Sequence, residues 1–178
     1  MVLTSAIAIR AACPHDWRAL KTIRLAALLD APTAFGVSHA SAAAESDEAW
    51  RQRASSSAQR TFFLAWDGQQ AVGIAAQVVN RLGECHLIAM WVHPAYRGMA
   101  VAPQLVEAVK QRAVAGGHRR LVLDVAPGNA RAAAFYQKQG FAFLPEWEPL
   151  ASHPHIQLQK MEWLAAWPAS SVTAQSTC

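Results

Sequence analysis

Apolar and polar positions change rhythm several times along the chain, and each change marks an element. Ile7 and Ile9 fall on alternate positions within residues 6–12, the two-residue period of a first strand. Pro14 and Asp16 suit the start of a helix. After them Trp17, Leu20, Ile23, Arg24, Ala27 and Leu28 lie near helical spacing, and most form an apolar stripe that Pro32 ends. Residues 31–45 keep neither period and read as a loop of small residues. Ser46-Asp47-Glu48 then opens a second helix carrying Trp50, with Arg51 and Arg53 exposed. Residues 61–66 and 71–79 read as strands, and Asp67-Gly68 between them signals a hairpin. Arg81-Leu82-Gly83 turns the chain into a further strand over residues 84–92.

The second half runs strand, loop, helix, strand, loop, helix. The apolar run 87–92 has the length of a buried strand, and a polar turn follows over 93–100. An amphipathic helix spans about 101–115 and stops at Gly116-Gly117. Pro103 complicates its first turn: it has no N–H and biases Ala102 away from helical angles, which moves the expected start toward Pro103. A second apolar strand, 121–125, leads through Pro127-Gly128-Asn129 into a helix that ends at Gly140. Residues 141–147 read as a strand, 149–154 as a connection and 155–163 as a last strand. This order puts the loops and helix starts at the carboxyl edge of the strands, where ligands bind in such folds.

No repeat or long linker divides the chain, so one α/β domain is expected over residues 1–164 and a loose tail over 165–178. A hydrophobic content of 53% against 16% charged residues points to a packed core rather than disorder. The net charge of +4 suits a polyanionic ligand, and without basic blocks or aromatic-basic interleaving it makes no case for nucleic acid. Cys13, Cys85 and Cys178 lack metal-ligand spacing and read as thiols in a reducing cytoplasm. Neither a secretory leader nor an apolar membrane span is expected.

Arg97-Gly98-Met99-Ala100-Val101-Ala102 occupies the first strand-to-helix turn. Small residues there let a ligand approach the backbone. Successive N–H groups at a helix start suit a phosphate or pyrophosphate. This stretch resembles the turn of the GNAT superfamily of acetyl-CoA-dependent N-acetyltransferases, whose pattern is Gln/Arg-x-x-Gly-x-Gly/Ala. Arg97 fits its first position and Ala102 its last. Ala100 stands where the family usually has glycine. The V-H-P-x-Y-R-G run from Val92 to Gly98 and the N-x-R-A-x-x-F-Y-x-K-x-G-F run from Asn129 to Phe141 are similar to the same family.

The resemblance implies a mixed, mostly antiparallel sheet, splayed between the strands ending at Val92 and Val125 and flanked by helices. It also implies direct transfer of acetyl from acetyl-CoA to an amine, with no metal and no covalent acyl-enzyme. Arg97 through Ala102, including Gly98, Met99, Ala100 and Val101, should wrap the pyrophosphate. Met90, Trp91 and Val92 should offer backbone groups to the acetyl and pantetheine parts. Asn129 is either a pantetheine contact or a helix N-cap. Tyr136 should contact the cofactor and protonate the departing thiolate. The acceptor side should be covered by residues 31–45 and the Trp50 helix, with Phe35 and Trp50 as ligand contacts or core.

Amine acetylation also needs a proton acceptor. A lysine-like amine with pKa about 10.4 is neutral in roughly one molecule in 2,500 at pH 7, a cost of about 4.6 kcal/mol, whereas an α-amine costs about 1–1.4 kcal/mol. Glu84 and His86 are two residues apart on the strand that leads to the reaction site, hence on one face, and either is a candidate base. His153 and His155 are within reach from the last connection. The acceptor stays open between small molecules and protein amino groups, and a homodimer is compatible with the reading. Two alternatives stand beside it. One is a non-catalytic acyl-CoA-binding regulatory module of the same fold. The other is a nucleotide-binding domain, though the turn lacks both G-x-G-x-x-G and G-x-x-x-x-G-K-S/T.

Overall fold

The computed structural model describes residues 6–166. Strand β1 (Ala8–Ala11) is followed by helices α1 (Trp17–Asp30), α2 (His39–Ala43) and α3 (Asp47–Ala54). Strands β2 (Arg60–Asp67), β3 (Gln70–Val79) and β4 (Cys85–Val92) come next, then α4 (Val101–Ala115), β5 (Arg120–Val125) and α5 (Ala130–Lys138). Strands β6 (Ala142–Leu150) and β7 (His153–Leu164) complete the domain. They form one seven-stranded sheet in the order β1-β2-β3-β4-β5-β7-β6. Every pairing is antiparallel except β4–β5, which is parallel and held in register at a single point, His86 with Val122. Beyond that point the two strands diverge, and the expected splay is present.

Two apolar layers cover the sheet. Leu20, Ile23, Ala27 and Leu28 of α1 pack with Phe35, Trp50, Leu64, Ile74 and Trp91 on one face. Leu105, Val106 and Val109 of α4 pack with Val72, Leu87, Leu121 and Met161 on the other. Gly73 sets how closely α4 approaches. A Cβ there would lie 2.9 Å from Leu105 Cδ1 and 3.1 Å from Val101 Cγ1 and Ala65 Cβ, so any side chain would push α4 or its packing away from β3. Both Phe35 and Trp50 are buried in the α1 layer.

Three details depart from the sequence reading. The expected loop over 31–45 contains α2, whose N-cap Ser38 accepts from Ser41 N. A five-residue helix shows too little period to be read, and its cap is the signal. Helix α4 begins at Val101 rather than Pro103, because proline is tolerated in a first turn, where no N–H has an intrahelical partner. Strands β6 and β7 run on through Pro149 and Pro154, which reduces the expected connection to Ala151 and Ser152. Pro149 is on an edge strand at a register irregularity, and Pro154 precedes the part of β7 that pairs with β5, so neither removes a central ladder bond. Beyond Ala166 the expected tail lies outside the described residues.

Candidate active site

The divergence of β4 and β5 leaves the outer edge of β4 unpaired beyond His86. On its inner edge β4 carries a bulge. Ile74 pairs with Trp91 and Ala76 with Ile88, leaving Ala89 and Met90 out of register, and Ala89 adopts φ 57°. A bulge re-aims the strand and frees backbone groups, here at the mouth of the gap. Two cavities open there. One, about 570 Å3, lies between the end of β4, the start of α4 and α5. The other, about 900 Å3, lies between α1 with the loop after it, the β4–β5 gap and the β6–β7 end. Met90, Asn129, Ala132 and Tyr136 line both.

The first cavity gathers Met90, Trp91, Val92, Arg97, Gly98, Ala100, Val101, Ala102, Asn129 and Tyr136, the residues expected to hold acetyl-CoA. Met99 does not line it and is 50% exposed. Gly98 (φ 82°) and Ala100 (φ 59°) are left-handed, and α4 starts directly after them. Tyr96 O and Pro94 O take the N–H groups of Met99 and Arg97, whereas those of Gly98, Ala100, Val101 and Ala102 have no backbone acceptor among the described residues. Such a run of free N–H groups at a helix start fits a pyrophosphate. Arg131, which the sequence reading left without a role, lines the same cavity.

Asn129 is the N-cap of α5, and it also lines both cavities. Its Oδ1 caps α5 by accepting from Ala132 N at 3.2 Å, which leaves its amide N–H groups as donors to the cavity. Arg97 is more constrained than expected. Its Nε donates to Val92 O at 3.0 Å and its Nη2 to Asp30 Oδ2 at 2.6 Å, so the guanidinium shapes the loop. Tyr136 is half-buried, with its ring edge-on to Phe135 and Phe141 at 5.2 and 5.8 Å. Burial raises its phenol pKa well above the ordinary value, so it is held protonated.

Glu84 and His86 line neither cavity. They sit in an ion-pair network at the amino end of β4. Glu84 lies 2.7 Å from Arg120, 2.9 Å from His86 and 3.4 Å from Lys160, and Arg120 also pairs with Glu162 at 2.7 Å. Desolvation works against the Glu84 carboxylate, but the hydrogen bond from Arg120 and the charges of His86 and Lys160 outweigh it, and its pKa is lowered. The shared face was read correctly. Their distance along the strand keeps them from both cavities, since Met90, which lines both, lies beyond them. His153 and His155 also line neither cavity; their rings contact each other at 6.0 Å.

The carboxylates that do line the larger cavity are Asp124 on β5 and Glu148 on β6. Asp124 Oδ1 is buried with no hydrogen-bond partner. Desolvation, followed by the charge of Glu148, raises its pKa. Its signal in the sequence is a lone acid inside the apolar strand Leu121-Val122-Leu123-Asp124-Val125.

A splayed parallel pair with a left-handed loop and helix start at its mouth defines a cleft whose N–H groups suit a phosphate-bearing ligand. Residues 24–141 match the acetyltransferase (GNAT) family, and the chain belongs to that family. Its reaction class is acetyl transfer and its co-substrate is acetyl-CoA. Solved structures share the fold. A GNAT-family acetyltransferase from Streptococcus pneumoniae aligns with TM-score 0.75 and 22% identity over 90% of this chain and 100% of that one. The yncA protein from Salmonella typhimurium, solved with acetyl-CoA, aligns with TM-score 0.69 and 19% identity over 93% and 98%. The ribosomal-protein-S18-alanine N-acetyltransferase from Escherichia coli aligns with TM-score 0.65 and 17% identity over 94% and 99%. No curated protein sequence matches the chain. No helix among the described residues is long and apolar enough to cross a membrane.

Proposed function

We propose that the protein transfers acetyl from acetyl-CoA directly to a primary amine, with Asp124 as proton acceptor and Tyr136 as proton donor. The observation that carries this reading is the shared wall of the two cavities. Tyr136 lines both cavities, the helix-start loop lines the first and Asp124 the second. Bound acetyl-CoA supplies the acyl group and a thiol leaving group. As the N–C bond forms and the C–S bond breaks, the nitrogen's proton passes to the Asp124 carboxylate and Tyr136 Oη gives its proton to sulfur. Solvent exchange then restores both residues. The N–H groups of Gly98, Ala100, Val101 and Ala102, with the amide of Asn129, hold the pyrophosphate and pantetheine.

An acidic wall on the acceptor side favours a cationic amine on arrival; the ammonium gives its first proton to solvent, and the proton lost as the N–C bond forms passes to Asp124. The acceptor is a small molecule or a protein amino group, and the reaction belongs where acetyl-CoA is present, in the cytoplasm. The test is CoA-thiol release with acetyl-CoA against a broad panel of amines, with mass detection of the product. An acetylated amine is the expected result. Tight acetyl-CoA binding with no acetylated product would favour the non-catalytic binding module instead.

A further inference from the structure

Two charged groups in the larger cavity have nitrogen or oxygen atoms that no protein group satisfies. Arg24 Nη1 and Asp124 Oδ1 are both buried without a hydrogen-bond partner, and both residues line that cavity. Arg24 lies on the core-facing stripe of α1, where its guanidinium carbon is 4.4 Å from the centroid of the Phe35 ring. Stacking engages the face of the guanidinium and leaves its N–H edge in need of an acceptor. Phe35 is fixed in turn, since its carbonyl accepts from Ser152 Oγ at 2.6 Å, which ties the loop after α1 to the β6–β7 turn. Burial first, and then the charge of Arg53, lowers the Arg24 pKa to about 10, so it stays cationic at neutral pH.

The two groups do not neutralise each other. The charges that act on Asp124 are Glu148 on β6, Lys160 on β7, and His86 and Glu84 at the start of β4. The charge that acts on Arg24 is Arg53 on α3. Arg24 and Asp124 are therefore separate poles of one cavity, cationic on the α1 wall and anionic on the β5 wall. A simple cationic amine answers only the second pole. It offers no counter-charge to Arg24 in the α1 wall, where the like charge of Arg53 already works against the guanidinium.

We infer that the acceptor is a small amphoteric amine, one that also carries an anionic oxyacid group, with that group held by Arg24 and its amine directed to Asp124 and Tyr136. This deepens the N-acetyltransferase reading and rests on it. A cavity of about 900 Å3 accommodates such a molecule whole. A protein amino terminus brings no anion at a fixed distance from its amine, so it does not meet the same requirement.

The test compares kcat/KM for acetyl transfer across matched amines. One arm pairs L-amino acids with their carboxamides. A second pairs aminoalkylphosphonates with monoamines of the same chain length, to separate the two kinds of anion. Wild-type protein should favour at least one anionic series over its neutral partners by about 10- to 100-fold, the range of a charge-assisted hydrogen bond. Arg24→Gln should bring that ratio close to one, and Arg24→Lys should keep part of it. Thermal unfolding checks that both variants fold. If Arg24→Gln does not fold, titration of the anionic amine into wild-type protein with CoA, against its neutral partner, reads the same preference. Turnover of neutral amines as good as or better than their anionic partners would overturn the inference and leave amine acetylation standing. Acetylation of no amine at all would overturn both.

Discussion

Arg97 Nη2 donates to Asp30 Oδ2 at 2.6 Å, and the same oxygen accepts from Trp91 Nε1 at 2.9 Å. One carboxylate at the end of α1 thus fastens the last residues of β4 to the loop that starts α4. The Trp91 hydrogen bond, then the Arg97 one, holds that carboxylate below its usual pKa. Trp91 also belongs to the α1 core layer, so the cofactor loop inherits its position from packing on the opposite face of the sheet.

This arrangement separates two arginines. Arg97→Ala should act through loop geometry. The pair is partly exposed, so stability should fall by no more than about 1 kcal/mol, with a modest loss of acetyl-CoA affinity. Arg131→Ala should leave thermal unfolding unchanged and weaken acetyl-CoA binding by about tenfold, as loss of one charge-assisted phosphate contact would. Calorimetric titration of both variants decides. The reverse ranking would move the phosphate contact to Arg97.

Ala100→Gly tests the left-handed position before α4. A Cβ at φ 59° costs about 1–2 kcal/mol, and the entropy of an added glycine returns about 0.5–1 kcal/mol to the unfolded chain. The variant should be slightly more stable, with acetyl-CoA affinity kept or improved. A clear loss of affinity would mean that the Ala100 methyl itself contacts the ligand.

Much of this cleft was legible because its parts are local. Val101, Leu105, Val106 and Val109 repeat at helical spacing, the strand lengths follow from apolar runs, and the loop from Arg97 to Ala102 carries its chemistry in the backbone. What stayed hidden was set by distant partners. Arg97 reads as a phosphate ligand until Asp30, far earlier in the chain, is brought beside it. Glu84 and His86 lie on one face two residues apart, but the bulge at Ala89 and Met90 stands between them and the cavities, and Arg120 and Lys160 engage Glu84 at the amino end of the strand. Arg24 and Asp124 were visible as single charges inside apolar patterns. Their meaning required the sheet to splay and put both on one cavity.

Asp124 and Glu84 make opposite predictions about stability and rate. The fold raises the Asp124 pKa, so its contribution to stability is present below the unfolded value, about 3.9, and is lost as pH rises through the folded value. At neutral pH the ionised group opposes folding, and Asp124→Asn should stabilise by up to about 1 kcal/mol after solvent screening, or about 2–4 °C. The same change should cut turnover by about 100-fold or more, most severely above the folded pKa of Asp124, where the carboxylate is ionised and able to take the proton. The fold lowers the Glu84 pKa, so its contribution is present above about pH 4.3 and is lost as pH falls through the folded value. Glu84→Gln should therefore cost about 1 kcal/mol at neutral pH and leave the pH–rate profile in place. Melting curves and pH–rate profiles of both variants check this. A profile altered by Glu84→Gln and untouched by Asp124→Asn would return the base to Glu84.

Tyr136→Phe isolates the proton given to sulfur. The substitution keeps the ring and its contacts with Phe135 and Phe141, so packing should hardly change. It removes a hydroxyl that burial keeps protonated at neutral pH. A thiol with pKa about 8.5 already leaves fairly well as a thiolate, so protonation should give the lower end of general-acid assistance, about 100-fold in kcat. Acetyl-CoA affinity should shift by less than about threefold, under 1 kcal/mol, because the proposed binding groups are the loop N–H groups and Asn129. Acyl donors whose leaving thiols have lower pKa should lose less, since they need the proton less. Steady-state rates with a series of such donors, together with calorimetric binding and an unchanged melting curve, give the answer. Full turnover in folded Tyr136→Phe protein would leave Tyr136 as an aromatic of the cleft wall, and the thiolate would then depart without help from the protein.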